Sequence, residues 1–233
     1  MWMAASMVFA GHAQSVPVLA ELFTSEGCSS CPPADALLMR LDNLQPVRGA
    51  QIIVLSEHVD YWNDLGWRDP YSSAQFSKRQ ADYARVLGSE SYTPQLVIDG
   101  RDQMNGADAT AVQVAIARAA ARPKAAIRTL QAHRDGGEAV VQLAIDAQLR
   151  RGDIWLAIAS ESARSSVGRG ENAGRTLDHV AVVRSLAKIG TLRKAQFFEK
   201  TVRVAAPADA ARVVVFLQDT GSPVTGAAVA VLR

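Results

Sequence analysis

The chain has 233 residues, of which 48% are hydrophobic, with 25 Lys and Arg against 23 Asp and Glu and a formal net charge of +2 at pH 7. The apolar share excludes a mainly disordered chain. Bases and acids are interspersed and no Lys/Arg-rich run occurs, so no nucleic-acid partner is expected.

The first ten residues, MWMAASMVFA, are apolar and uncharged, and Gly11-His12-Ala13 follows. This reads as the apolar region and small-residue cleavage site of an export signal over residues 1–13, although the usual basic start is missing. A periplasmic or secreted location is the matching expectation. The run is shorter than the roughly 20 apolar residues of a membrane span, and no later run approaches that length.

Residues 18–23 (VLAELF) read as a short buried strand that ends in Thr24-Ser25-Glu26-Gly27. Cys28-Ser29-Ser30-Cys31 comes next. Pro32-Pro33 and an amphipathic run over 35–44 follow, with Leu37, Leu38, Leu41 and Leu44 at helical spacing. Proline is tolerated in a first helical turn, where its missing N–H has no intrahelical partner, so the helix is expected to begin at or just after Cys31. Residues 52–55 (IIVL) form a second buried strand, leading into the polar and aromatic segment 57–63. A helix is expected over 71–87 with Gly88 as its stop. Thr93-Pro94 precedes a strand at 95–98, Asp99-Gly100 signals a hairpin turn, a return strand runs to Met104, and a helix covers 108–121.

This βαβαββα order predicts an α/β domain over residues 16–122, with a mainly parallel central sheet flanked on both faces by helices. Beyond Pro123 the texture changes. Segments 125–131, 139–145, 154–159, 201–205, 212–217 and 226–232 read as strands, predicting a mostly β, sandwich-like domain over 124–233.

Both cysteines of the chain fall within four residues. One such pair cannot supply the four ligands of a closed cysteine-rich zinc site; Cys28, Cys31, His58 and Asp60 together could hold zinc or copper, but the spacing is a weak signal and no metal is expected. No nucleotide-binding glycine motif or Walker loop is visible, and no cofactor is expected. A bond between Cys28 and Cys31 closes almost no loop, so long-range stapling explains it poorly. Redox chemistry explains it better. A helix N-terminus presents unpaired N–H groups and partial positive charge, which favour the nucleophilic thiolate over the thiol. The two intervening residues let the second sulfur reach back and displace whatever the first has captured.

Other residues carry weaker signals. His58 and Asp60 follow the carboxyl end of a buried strand, the side on which open α/β sheets bind ligands, so His58 is a candidate to shift a thiol or move a proton near Cys28. Trp62, with Trp67 and Tyr71, would wall a groove; simple loop packing is the plainer alternative. Segment 170–175 (GENAGR) has two glycines and a Glu171 within reach of Arg169 or Arg175. A turn pinning the two halves together is preferred there over a loop docked on the cysteines. His179 reads as structural.

Strand, C-x-x-C and helix, followed by Thr93-Pro94 before a hairpin, resemble the thioredoxin superfamily over roughly residues 16–122. A closer resemblance is to a family of secreted bacterial proteins, domain of unknown function 1223. It is carried by ELFTSEGCSSCPP at 21–33, HVDYW at 58–62, LGWRDP at 65–70, TPQLVIDG at 93–100, GENAGRTL at 170–177 and VVR at 182–184. The resemblance implies a cis Pro94 beside the cysteines. Thr93 would present backbone to an extended substrate, Cys28 would be the exposed attacking thiolate, and Cys31 the more buried resolving thiol. It departs from thioredoxin itself in Ser29-Ser30 and in the lack of a Trp before Cys28, so a strongly reducing character is not carried over. The functional expectation is an exported thiol–disulfide oxidoreductase acting on a thiol or disulfide protein substrate, with a further redox partner. The alternative is a non-catalytic binding module for a metal, peptide or envelope component.

Overall fold

The computed structural model describes residues 15–146, 151–193, 197–219 and 222–233, and the expected export signal at 1–13 lies outside them. The first half runs β1 (Val16–Thr24), α1 (Pro32–Leu44), β2 (Ala50–His58), a short turn of 3-10 helix at Asn63–Leu65, α2 (Ala74–Leu87), β3 (Gln95–Ile98), β4 (Asp102–Asn105) and α3 (Ala109–Ala120). Helix starts are set locally. Pro32 opens α1, the Ser73 hydroxyl accepts the Gln75 N–H, and the Asp108 carboxylate accepts the Ala111 N–H at 2.9 Å. Asp99 (φ 49°) and Gly100 (φ 61°) both take left-handed backbone conformations between β3 and β4, as a tight hairpin turn demands.

The second half contributes β5 (Ala126–Asp135), β6 (Glu138–Asp146), β7 (Gly152–Ser160), β8 (Ser162–Ser166), β9 (Thr176–Val180), β10 (Val183–Leu192), β11 (Phe197–Ala205), β12 (Ala210–Gln218) and β13 (Val224–Val231). Four sheets result: β2-β1-β3-β4, β10-β7-β12-β13, β11-β6-β5 and the hairpin β8-β9.

Strand alternation explains how these layers stack. On the first sheet, Val18, Ala20 and Leu22 of β1 with Ile52 and Val54 of β2 point to one face, where α1 and α3 cover them with Leu38, Leu41, Val112 and Ile116. Leu19, Ile53 and Leu55 point to the other face. There they meet Ala157 and Ala159 of β7, Val214 and Phe216 of β12, and Phe76 of α2. The opposite residues of β7 and β12, including Ile154, Leu156, Ile158, Val213 and Val215, pack against Val141, Leu143 and Ile145 of β6. The β10-β7-β12-β13 sheet is therefore buried on both faces, which is why its central strands read as near-continuous apolar runs.

The expected fold class is corrected by this arrangement. The described residues form thirteen strands and three α-helices, so the protein is mostly β and not a helix-flanked α/β thioredoxin-like domain with a sandwich appended. Only β1 and β2 run parallel in the first sheet; β3 and β4 are antiparallel additions. Helices α1 and α3 lie on one face only. A second β-sheet, with α2 beside it, takes the place of helices on the other. The physical reason is that the near-continuous apolar run of β1 specifies two buried faces without specifying what buries them.

Candidate functional site

Cys28 and Cys31 are joined in a disulfide with Cα atoms 5.4 Å apart. Cys31 is the N-cap of α1, and its carbonyl accepts the N–H groups of Ala34 at 2.9 Å and Asp35 at 3.1 Å. Thr93-Pro94 is a cis peptide. Thr93 is tied to the cysteine loop through Trp62: the indole N–H donates to Thr93 Oγ1 at 2.9 Å, and Trp62 packs so close to Gly27 that a Cβ there would lie 3.1 Å from Trp62 Cβ. The cysteine loop, Trp62 and Thr93 thus form one contiguous group, while Pro94 is buried behind it.

One expectation fails. Both cysteines are 0% exposed, so Cys28 is not the accessible member of the pair. A helix start gives a sulfur its electrostatic setting but says nothing about what the rest of the chain lays over it. Here segment 170–175, linking β8 to β9, is seated on the cysteine loop. The Asn172 amide, itself fully buried, donates to the carbonyls of Glu26 and Cys28, both at 2.9 Å. The Glu171 carboxylate accepts the Ser29 N–H at 3.1 Å, and Arg175 donates to Asn172 Oδ1 at 2.8 Å. Glu171 therefore pairs with the cysteine loop rather than with a neighbouring arginine. Ser29 and Ser30 remain exposed, and the Ser30 hydroxyl lies 3.4 Å from Cys28 Sγ.

Beside the disulfide lies a buried group of histidines and carboxylates. His58 closes β2, and its Nδ1–H donates to Asp69 Oδ2 at 2.7 Å. The same oxygen accepts the Glu26 N–H at 2.8 Å, while Asp69 Oδ1 accepts the Tyr71 N–H at 2.9 Å. Burial alone would favour the neutral acid, but His58 and these amides outweigh it and hold Asp69 below the usual carboxylate range.

His179, on β9, lies between two acids, with Nε2 3.4 Å from Glu26 Oε1 and Nδ1 3.5 Å from Asp35 Oδ1. Burial opposes its charge, yet Asp35 and Glu26 together push its pKa up to about 10. Burial likewise opposes ionisation of Glu26, but His179, Ser165 and the Trp67 indole outweigh it, and its pKa is lowered. These separations exceed a good hydrogen bond. Glu26 Oε1, Asp35 Oδ1, both ring nitrogens of His179 and Nε2 of His58 have no hydrogen-bond partner, so charge attraction carries the contact. The two imidazoles meet edge to face at 4.7 Å.

His179 arrives by a specific route. The segment after β9 runs along the edge of β2, where Ser56 N–H donates to the Ala181 carbonyl at 3.0 Å, and Val180 and Ala181 pack into the α1 core.

Of the residues expected at the site, the structure brings together Cys28, Cys31, Trp62 and Thr93, and places His58 within the adjoining acid–histidine group. Asp60 goes elsewhere. Its carboxylate accepts the Ser77 hydroxyl of α2 at 2.5 Å. Sequence reasoning missed Glu26, Asp35, Asp69 and Asn172, and gave His179 no part. The two acids closest in sequence to the cysteines, two before Cys28 and four after Cys31, were the readable signal. Among the described residues, no group of three or more His, Cys, Asp or Glu side chains is arranged to hold a metal ion.

Fold and site define a mostly β protein with an enclosed C-x-x-C disulfide beside buried histidines and carboxylates. Residues 19–218 match the family described as protein of unknown function DUF1223, and the chain belongs to that family. The crystal structure of protein AGR_C_4864 from Agrobacterium tumefaciens is similar, with 29% identity and a TM-score of 0.72 over 93% of this chain and 94% of that one. A GH3 β-glucosidase from Bifidobacterium adolescentis is 13% identical with a TM-score of 0.24, over 47% of this chain and 17% of its own; so slight a likeness carries no argument. No curated protein matches the chain.

Proposed function

We propose that this protein exchanges thiols and disulfides with a partner outside the cytoplasm, through Cys28 and Cys31. The observation that carries the reading is the four-residue disulfide ring built onto the first turn of α1, with exposed Ser29-Ser30 on its rim. A ring this small restrains the unfolded chain little, which leaves chemistry as the better reason for it. A non-cytoplasmic setting fits the persistence of a disulfide and the apolar segment at the start of the chain.

In the reduced protein, the Cys28 thiolate attacks one sulfur of a partner disulfide. A Cys28–partner bond forms, the partner's S–S bond breaks, and the released partner thiolate takes up a proton. The Cys31 thiolate then attacks Cys28 Sγ. The Cys28–Cys31 bond re-forms, the second partner thiolate leaves, and the partner has gained two electrons that this protein has lost. A dithiol partner running the steps backwards restores the reduced pair. Cys28 is assigned the attack because the Ser30 hydroxyl sits against its sulfur, where it can donate to a thiolate.

The full burial of both sulfurs favours a second reading, a static clip in a non-catalytic binding module. One experiment separates the two. Cys31→Ser protein is incubated with glutathione disulfide, and the mixed disulfide at Cys28 is followed by mass spectrometry. Exchange predicts that the adduct forms at Cys28 while the protein stays folded, because the thiolate is the attacking species and the fold must let a partner reach it. It also predicts that Cys28→Ser protein accumulates less. An adduct that forms only when the protein is unfolded supports the clip.

A further inference from the structure

The contacts made by segment 170–175 are unlike ordinary loop packing. Asn172 spends both amide hydrogens on two carbonyls of the cysteine loop, 146 and 144 residues away in sequence, and is wholly buried in doing so. Glu171 accepts the Ser29 N–H at 3.1 Å on the exposed rim of the same loop. The segment is internally braced: Val167 N–H donates to the Arg175 carbonyl at 2.9 Å, Gly174 N–H to the Val167 carbonyl at 2.8 Å, and Arg175 N–H to the Asn172 carbonyl at 3.1 Å. It rests on Trp67 through Gly170, whose φ of 76° and close approach (a Cβ would lie 3.3 Å from Trp67 Cβ) suit glycine. A braced loop that grips its target by a few side-chain bonds moves as a unit when those bonds break.

We propose that Glu171 and Asn172 form a latch that controls access to the Cys28–Cys31 disulfide, so that the bond reacts only when segment 167–175 lifts from the cysteine loop. The inference concerns regulation of the same site and rests on the exchange reading above. It accounts for a reactive pair that is nevertheless shut from solvent. It also makes the second half of the chain part of the site.

The test follows reduction of the wild-type disulfide by dithiothreitol, with released thiols trapped by maleimide and counted by mass. One dithiothreitol thiolate attacks a protein sulfur and breaks the S–S bond. Its second thiol then closes dithiothreitol into its cyclic disulfide, leaving both cysteines reduced. If the latch must open first, the rate levels off as dithiothreitol is raised, at the opening rate. Asn172→Ala, which removes both donors, is expected to react about tenfold faster at low reductant, as loss of one to two net hydrogen bonds implies. Glu171→Gln is expected to give a smaller increase.

A wild-type rate that stays proportional to reductant and matches a C-S-S-C peptide disulfide overturns the latch, and so does a folded Asn172→Ala protein reduced within twofold of wild type. The wild-type concentration dependence decides the matter even where the variant does not fold. Dithiothreitol reports access alone. A levelling rate alongside failed exchange with glutathione disulfide would leave the latch and remove the exchange reading; a proportional rate with successful exchange would do the reverse.

Discussion

Two buried charge clusters flank the first sheet, one centred on a close ion pair and the other on loosely held groups. In one, Glu21 of β1 is completely served: Arg79 Nε donates to Oε1 at 2.7 Å and the Tyr83 hydroxyl to Oε2 at 2.5 Å. Arg79 is enclosed by the rings of Tyr83, Trp155 and Phe216 at 4.9, 5.5 and 5.1 Å, and it forms part of the wall of a cavity of about 430 Å³ between α2 and the second sheet. Neighbouring Glu57 has no hydrogen bond at either oxygen. Burial and the adjacent Glu21 raise its pKa well above the usual carboxylate range. That cluster is a staple between layers. The other, Glu26, Asp35, His58, Asp69 and His179, borders the cysteines, and its atoms without hydrogen bonds are spread over Glu26, Asp35, His58 and His179. Native interiors satisfy nearly all buried polar atoms, so exceptions on four residues beside the cysteines, against Glu57 alone in the staple, single out the second cluster.

If the Arg79 cluster is purely structural, Arg79→Met should cost about 3–5 kcal/mol, because Glu21 is left buried without its counter-charge. Urea unfolding measures this, and disulfide reduction kinetics should not change. A loss under about 1 kcal/mol would mean that Glu21 simply takes up a proton and the staple carries little.

The disulfide cluster should announce itself through pH. The folded pKa of His179, about 10, lies above its usual 6.5, so the folded protein holds a proton that the unfolded chain releases. The stability this confers is complete below pH 6.5, declines as pH rises, and is gone above about 10. Its size is on the order of a few kcal/mol. Glu57 slopes the same way, so the diagnostic is the difference between wild type and His179→Gln. Unfolding measured from pH 6.5 to 10 should lose much of its slope in the variant; parallel curves would deny His179 its charge.

A smaller effect is expected from the disulfide itself. Replacing both cysteines with serine should cost about 2 kcal/mol in thermal or urea unfolding, the chain-entropy value for so short a ring. A loss of twice that would favour a clip over an exchange site. Smallest of all, Ser77→Ala removes the hydroxyl that binds Asp60 and should cost about 1 kcal/mol while leaving the pH slope intact, since Asp60 belongs to neither cluster.

How far the sequence foretold this depends on whether a feature is local. The expected strand at 18–23, helix at 35–44 and strand at 95–98 correspond to β1, α1 and β3, because caps, prolines and periodicity act within a few residues. Six strands of the second half were legible from Val- and Ile-rich runs. The hairpin β8-β9 was not: SARSS and TLDHV are short, largely polar and carry no clean alternation, yet they deliver Asn172 and His179. The fold class failed for a related reason, since Leu19 and Leu55 disclose a buried face but not whether helix or sheet covers it. The bond from Asn172 to the Cys28 carbonyl spans 144 positions, and no local pattern encodes that.

The reduction potential of the Cys28–Cys31 pair, measured against graded dithiothreitol redox buffers in the folded protein, tests the exchange reading most directly. Exchange predicts reversible reduction at a potential above about −300 mV, outside the range of inert structural disulfides. A potential well below that value, or a bond that reduces only when the protein unfolds, would contradict it.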